Sequence, residues 1–176
     1  KLIPALKEYP EDILITADDD LYYPKWWLKR LVDSYKENPN EIHCHLVTKV
    51  ITKDHRIIFK DCYRKKGDGS TSFNYKILGG SGTLYPPKSL YSDILDERLF
   101  MKYADTNDDI WFWIMAIKQG TKIRWIRNNM KKLYYVEGTQ EETPCLYKKN
   151  NEGPNYRLVQ LEKLLALYSI SLNENR

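Results

Sequence analysis

The sequence predicts an α/β domain, on three observations. Short apolar stretches rich in β-branched residues, "ILITA" from Ile13 and "EIHCHLVTKVI" from Glu41, have the content of buried strands. Other segments repeat apolar residues three and four apart, the spacing of a helix with one buried face. The two kinds alternate early in the chain, which favours a sheet covered by helices. At 176 residues, 42% hydrophobic and 30% charged, the chain has the size and composition of a single globular domain, 1–176, with a sizeable core.

Each element has a local reason. Lys1 to Tyr9 reads as helix with Leu2, Ile3, Leu6 and Tyr9 near one face, and Pro10 stops it. Asp12 to Ala17 reads as a buried strand. Pro24 suits the first turn of a second helix running to about Asn38, with Trp27, Leu28, Leu31, Val32 and Tyr35 at helical spacing. Glu41 to Ile51 reads as one strand, with "RIIF" as a hairpin partner beyond a turn near Asp54. Tyr63 to Asn74 is polar and rich in Gly and Ser, and reads as a surface loop. Gly79 to Pro87, "GGSGTLYPP", reads as a glycine loop entering a short strand. Asn107 to Gln119 reads as a helix closed by Gly120, followed by a strand from Lys122 to Ile126. Tyr134 to Asn155 reads as irregular, and Tyr156 to Ile170 as an amphipathic helix with Leu158, Leu161, Leu164, Leu165 and Tyr168 on one side.

Charge and cysteines exclude some classes of function. A net charge of +4, spread along the chain, fits an anionic small ligand or loose peripheral contact with an acidic membrane surface, and argues against nucleic acid. Three cysteines, Cys44, Cys62 and Cys145, with no CxxC spacing indicate neither a disulfide framework nor a zinc site. The longest apolar run, Ile110 to Ile117, is far short of the roughly 20 residues that span a bilayer. The first ten residues lack the apolar centre of a signal peptide. A cytoplasmic location, including the inner face of the membrane, is expected. The chain opens on Lys1 in what reads as mid-helix, as a piece of a longer protein would.

Two acidic groups carry the chemistry. Asp18, Asp19 and Asp20 follow the first strand directly; like charges repel by about 1 kcal/mol per pair in water and more at lower dielectric, so they call for a positive partner. Side chains alternate along an extended segment, so Asp18 and Asp20 share a side. Two such carboxylates beyond the carboxyl end of a strand form a hard-oxygen site suited to Mg²⁺ or Mn²⁺. The plainer reading is an Asx-turn and helix cap. Asp108 and Asp109 follow Asn107, a good N-cap, and acids there gain from the helix dipole; the apolar helix behind them would also fix a carboxylate rigidly enough to act as a general base. Gly79, Gly80 and Gly82 allow close backbone approach to a ligand, or simply a turn. Tyr22, Tyr23, Trp26, Trp27, Trp111 and Trp113 read mostly as core, with one or two available to stack on a sugar ring. His43, His45 and His55 read as structural.

In order, strand–"ADDD", "GGSGTLY" and "DDIWFWIMAIKQGTKI" resemble the DxD motif, the pre-acceptor loop and the "ED" helix of GT-A fold glycosyltransferases. The nearest likeness is to the broad family 2 type of bacterial surface-polysaccharide synthesis. The resemblance covers Asp12 to Ile126. It implies a GT-A-like (partial) mixed sheet flanked by helices, lacking the nucleotide-base-binding strands that the family places before its DxD strand. It implies a nucleoside-diphosphate sugar as donor, a glycan or lipid-linked acceptor, and Mn²⁺ or Mg²⁺ as cofactor. Asp18 and Asp19 would bind the donor, and Asp20 with Asp18 the metal. Gly80, Ser81 and Trp111 would border the acceptor. Asp109 would be the catalytic base, with Asp108 beside it, in an inverting transfer. No histidine follows His55, so water or diphosphate oxygens would fill the place some relatives give to a late histidine on the metal. Two rivals remain. A haloacid-dehalogenase-like phosphohydrolase also has a strand ending in DxD, but its motif places Thr or Val where Tyr22 stands. A carbohydrate-binding module would suit 5 Trp and 14 Tyr, yet has no need of two acidic groups.

Overall fold

The computed structural model describes residues 2–139 and 156–172. It is a mixed α/β arrangement. A five-stranded sheet has the order β1 (Leu14–Thr16), β7 (Thr83–Tyr85), β2 (Ile42–Cys44), β8 (Ile123–Trp125), β5 (Thr71–Ser72). Only β2 and β8 pair in parallel; the other neighbours are antiparallel, so the sheet is mixed. A second, three-stranded sheet has the order β4 (Arg56–Asp61), β3 (Val47–Lys53), β6 (Tyr75–Ile77).

Among the described residues there are five α-helices: α1 (Leu2–Glu8), α2 (Trp27–Glu37), α3 (Glu97–Tyr103), α4 (Asp108–Gln119) and α5 (Tyr156–Leu167). Helix α2 packs Leu31 on Leu84 and Ile126, with Ile15, Val32 and Tyr35 around them. The next residues along the strands, Leu14, Tyr85 and Trp125, join the opposite cluster with α4 and α5. The strand period of two thus sends neighbours to opposite faces, and helices cover both.

Helix α4 is the central element. Every residue from Ile110 to Ile117 is buried. Burying Trp111 and Trp113 removes about 150–250 Å² each from water, on the order of 4–6 kcal/mol apiece as an upper figure. The Asn107 Oδ1 accepts from the Ile110 N–H (3.3 Å), and Gly120 closes the helix at φ 83°, in the left-handed region.

Several expected boundaries move. Glu41 to Ile51 is two strands rather than one, because the chain leaves the first sheet after Cys44 and enters the second at Val47. At the crossing the His45 N–H bonds Gly82 O (3.3 Å) and the Leu46 N–H bonds Ser81 Oγ (3.0 Å), so partners change while the apolar run continues. Helix α2 starts at Trp27, three residues after Pro24. The stretch expected as pure loop, Tyr63 to Asn74, contributes β5. Helix α3, capped by Asp96 Oδ1 on the Arg98 and Leu99 N–H groups (2.9 and 3.0 Å), had no expectation at all. Most of the expected irregular segment, residues 140–155, and with it Cys145, lies outside the described residues. Cys44 and Cys62 are buried free thiols, and burial pushes Cys44 up to about 12. Among the described residues, no helix is long and apolar enough to cross a membrane.

Candidate functional site

Strand β1 delivers the three acids at its carboxyl end. Asp18 and Asp20 are half-buried and Asp19 is exposed, as the alternation requires. The segment after β8 returns beside them: Leu21 bridges Tyr135, the Tyr22 N–H donates to Tyr134 O (2.7 Å), and the Val136 N–H donates to Asp20 O (2.9 Å). The aspartate turn is therefore held on its carboxyl side.

The glycine loop brings the two acidic groups together. The Gly79 N–H donates to Asp109 Oδ1 (3.0 Å), and a Cβ placed on Gly79 would lie 2.4 Å from that oxygen. A Cβ on the very next residue, Gly80, would lie 2.9 Å from Asp18 Oδ2. Adjacent Cα atoms are about 3.8 Å apart, so these contacts confine the two carboxylates to a separation of at most about 12 Å. Neither position tolerates a side chain without moving a carboxylate. Glycine is needed here for closeness.

An aromatic bracket fixes the loop to the acids. The Tyr23 hydroxyl accepts from the Asp18 N–H (2.8 Å) and donates to Gly80 O (2.9 Å). The Trp27 Nε1–H donates to Ser81 O (2.8 Å), and its indole lies under Gly82, where a Cβ would come within 2.3 Å; Gly82 also has φ 99°. Tyr23 and Trp27 pack ring to ring at 4.5 Å. The aromatic run after the three aspartates thus serves as a brace. Sequence reasoning counted Tyr23 and Trp27 as core and missed this role, because nothing local reveals a partner more than fifty residues away.

Two residues expected to border an acceptor, Ser81 and Trp111, lie inside the fold. Ser81 is fully buried; its hydroxyl donates to Leu78 O (2.7 Å) and accepts from the Leu46 N–H (3.0 Å), so it pins the loop from inside. Trp111 is also fully buried, its Nε1–H directed at Ile94 O (3.5 Å) and its ring against Phe100. It offers no face to a sugar. On a helix buried all round, the ring next to the acids points inward. Gly80 remains at the surface, half-buried against Asp18. Asp108 is half-buried at the first turn of α4, beside Asp109, where the helix dipole favours both charges by roughly 0.3–1 kcal/mol each.

One buried cation joins the site. The Lys76 Nζ, on β6, lies 3.8 Å from Asp109 Oδ2 and donates to Ile77 O (2.9 Å), with its side chain 5% exposed. Burial pulls its ammonium down from the usual lysine range, and the charge of Asp109 offsets part of that.

His43 and His45 are structural. His43 Nε2–H donates to Asn38 O (3.0 Å) and Nδ1 accepts from the Ser34 hydroxyl (2.9 Å); His45 Nε2–H donates to Trp27 O (3.0 Å) and Nδ1 accepts from the Met130 N–H (2.9 Å). These partners assign the neutral Nε2–H tautomer to both, and burial lowers each to about 4.

Of the three acids after β1, Asp18 and Asp20 are half-buried; among the described residues no three His, Cys, Asp or Glu side chains converge as a metal site. Two hard carboxylates fit Mg²⁺ or Mn²⁺ where the remaining ligands are water and phosphate oxygens. Two surface hollows, of about 480 and 450 Å³, lie elsewhere, around Asp68, Arg127 and Asn128 and along α2. No family model matches the sequence, and no curated protein matches it.

Proposed function

We infer that this chain belongs to a metal-dependent glycosyltransferase of GT-A, family 2-like type. It would move a sugar from a nucleoside-diphosphate donor to a hydroxyl of a glycan or lipid-linked acceptor, with inversion. One observation carries the reading: Asp109 and Asp18 each touch one of two consecutive glycines, so a base and a cation-binding carboxylate flank a single loop. That spacing suits a reaction in which a sugar lies between its leaving diphosphate and an incoming hydroxyl.

The roles follow from position. Asp18 and Asp20 would hold Mn²⁺ or Mg²⁺, with Asp19 exposed beside them on the donor side. When bound, the ion neutralises charge on the departing diphosphate. Asp109 would take the proton of the acceptor hydroxyl as its oxygen attacks the sugar C1. The base is held at the amino end of a rigid helix and oriented by the Gly79 N–H, which favours a fixed geometry for proton transfer. Exposed Tyr22 is the aromatic nearest in sequence able to meet a sugar ring, in place of Trp111.

The test is donor turnover with Mn²⁺, by sugar-nucleotide hydrolysis and by transfer to glycan acceptors. Asp109→Asn keeps an acceptor for the Gly79 N–H but removes the base, and should lower kcat by about 10²–10⁴-fold. Asp20→Asn should raise the Mn²⁺ concentration required. Hydrolysis of an aryl phosphate without any sugar-nucleotide turnover would favour the phosphohydrolase instead. Glycan binding unchanged in Asp20→Asn, with no turnover, would favour a binding module.

A further inference from the structure

We propose that Lys76 is a positioning residue for Asp109, holding that carboxylate ionised and turned toward the loop; this rests on the reading of Asp109 as the base. The geometry divides the two oxygens of Asp109 between neighbouring parts of one segment. Oδ1 accepts from the Gly79 N–H at 3.0 Å, and Oδ2 faces Lys76 Nζ at 3.8 Å. Lys76 and Gly79 are three residues apart, joined by the end of β6, so one short piece of backbone sets the carboxylate's plane and its charge partner.

A lysine in this place is costly unless its charge has a use. Its side chain is 5% exposed, and an unpaired buried ammonium is strongly disfavoured. Asp109, at 24% side-chain exposure, still reaches solvent. The pair therefore has a buried end and an open end, and the open end is the carboxylate. An opposite charge within about 4–6 Å favours the ionised form of an acid by roughly 1–3 pH units.

The remaining charged and titratable groups around the pair come from every packed element. Asp108 precedes Asp109 on α4, Arg157 approaches from α5, Cys44 lies on β2 and Tyr85 on β7. Lys49 of β3 stands in register with Tyr75, and Arg124 of β8 bonds Glu41. Arg157 is another cation acting on Lys76, and its guanidinium lies over the Phe59 ring at 4.1 Å.

The experiment follows the Asp109 carboxyl directly, by ¹³C NMR titration, in the wild type, Lys76→Met and Lys76→Arg. Lys76→Met should raise its midpoint by about one pH unit or more, and Lys76→Arg should leave it near the wild-type value. In the turnover assay, the acidic limb of kcat/KM should move up by the same interval in Lys76→Met while its plateau at higher pH is largely kept. Should Lys76→Met fold poorly, the pair Lys76→Met with Asp109→Asn removes both charges and should recover stability relative to the single variant, the signature of two coupled partners. An Asp109 midpoint unchanged in Lys76→Met, or a double variant no more stable than the single one, overturns the proposal. Absence of turnover in the wild type would count against the transferase reading, whereas the carboxyl titration would still decide the pairing.

Discussion

Gly79 is the position where one methyl group does most. Its Cβ would stand 2.4 Å from Asp109 Oδ1, a distance that forces the carboxylate away. Gly79→Ala should therefore cut kcat/KM by about 10²-fold, the usual cost of misplacing a reacting group by about 1 Å, with unfolding by urea little changed; an active Gly79→Ala would show that Asp109 need not sit where it does. The acids themselves were legible, since Asn107, the pair Asp108–Asp109 and an apolar run spell out a capped, buried helix. Lys76 was not. A lysine inside "YKI" reads as solvent-facing, and only the packing of α4 over β6 reveals that it is buried. The burial of Ser81 and Trp111 was equally hidden: nothing local shows that the partners of a hydroxyl and an indole beside the acids are internal.

The crossing from β2 to β3 shows what periodicity leaves out. An unbroken β-branched run predicts one strand, and the apolar pattern does continue; at the break His45 donates to Gly82 O and Trp27 O and accepts from the Met130 N–H, while the Leu46 N–H donates to Ser81 Oγ. His45 thereby ties the start of α2 to the segment that flanks the aspartates. This makes the crossing sensitive to acid. His43 and His45 have folded values of about 4 against 6.5 unfolded, with burial the largest cause. Each depressed value contributes stability in full above the unfolded value, and that stability is lost as pH falls from 6.5 through 4. Urea unfolding should show a loss of about 2 kcal/mol per histidine between about pH 8 and about pH 5, before most carboxylates titrate. His45→Gln, which cannot take up a proton, should flatten the slope by about half; an unaltered slope would mean that other groups set it.

Over the molecule, the α/β class and the acids at the carboxyl end of β1 follow from patterning, whereas the mixed sheet was expected only from the family resemblance. The sequence could not reveal that the chain beyond β8 runs back along that end to meet Asp20, since this depends on hydrogen bonds between residues more than a hundred positions apart. That return, the Tyr23–Trp27 bracket and the glycine loop hold the two acidic groups against one loop. Mn²⁺ is a paramagnetic probe of that unity. Titrated into ¹⁵N-labelled protein with a nucleoside diphosphate present, it should broaden the amides of Gly79, Gly80 and residues 18–20 first, reach Asp109 and Ile110 next, and lose this pattern in Asp18→Asn with Asp20→Asn. Broadening centred on other carboxylates, or a pattern that survives both substitutions, would mean that the aspartates after β1 are turn residues and that no donor diphosphate is held beside the base.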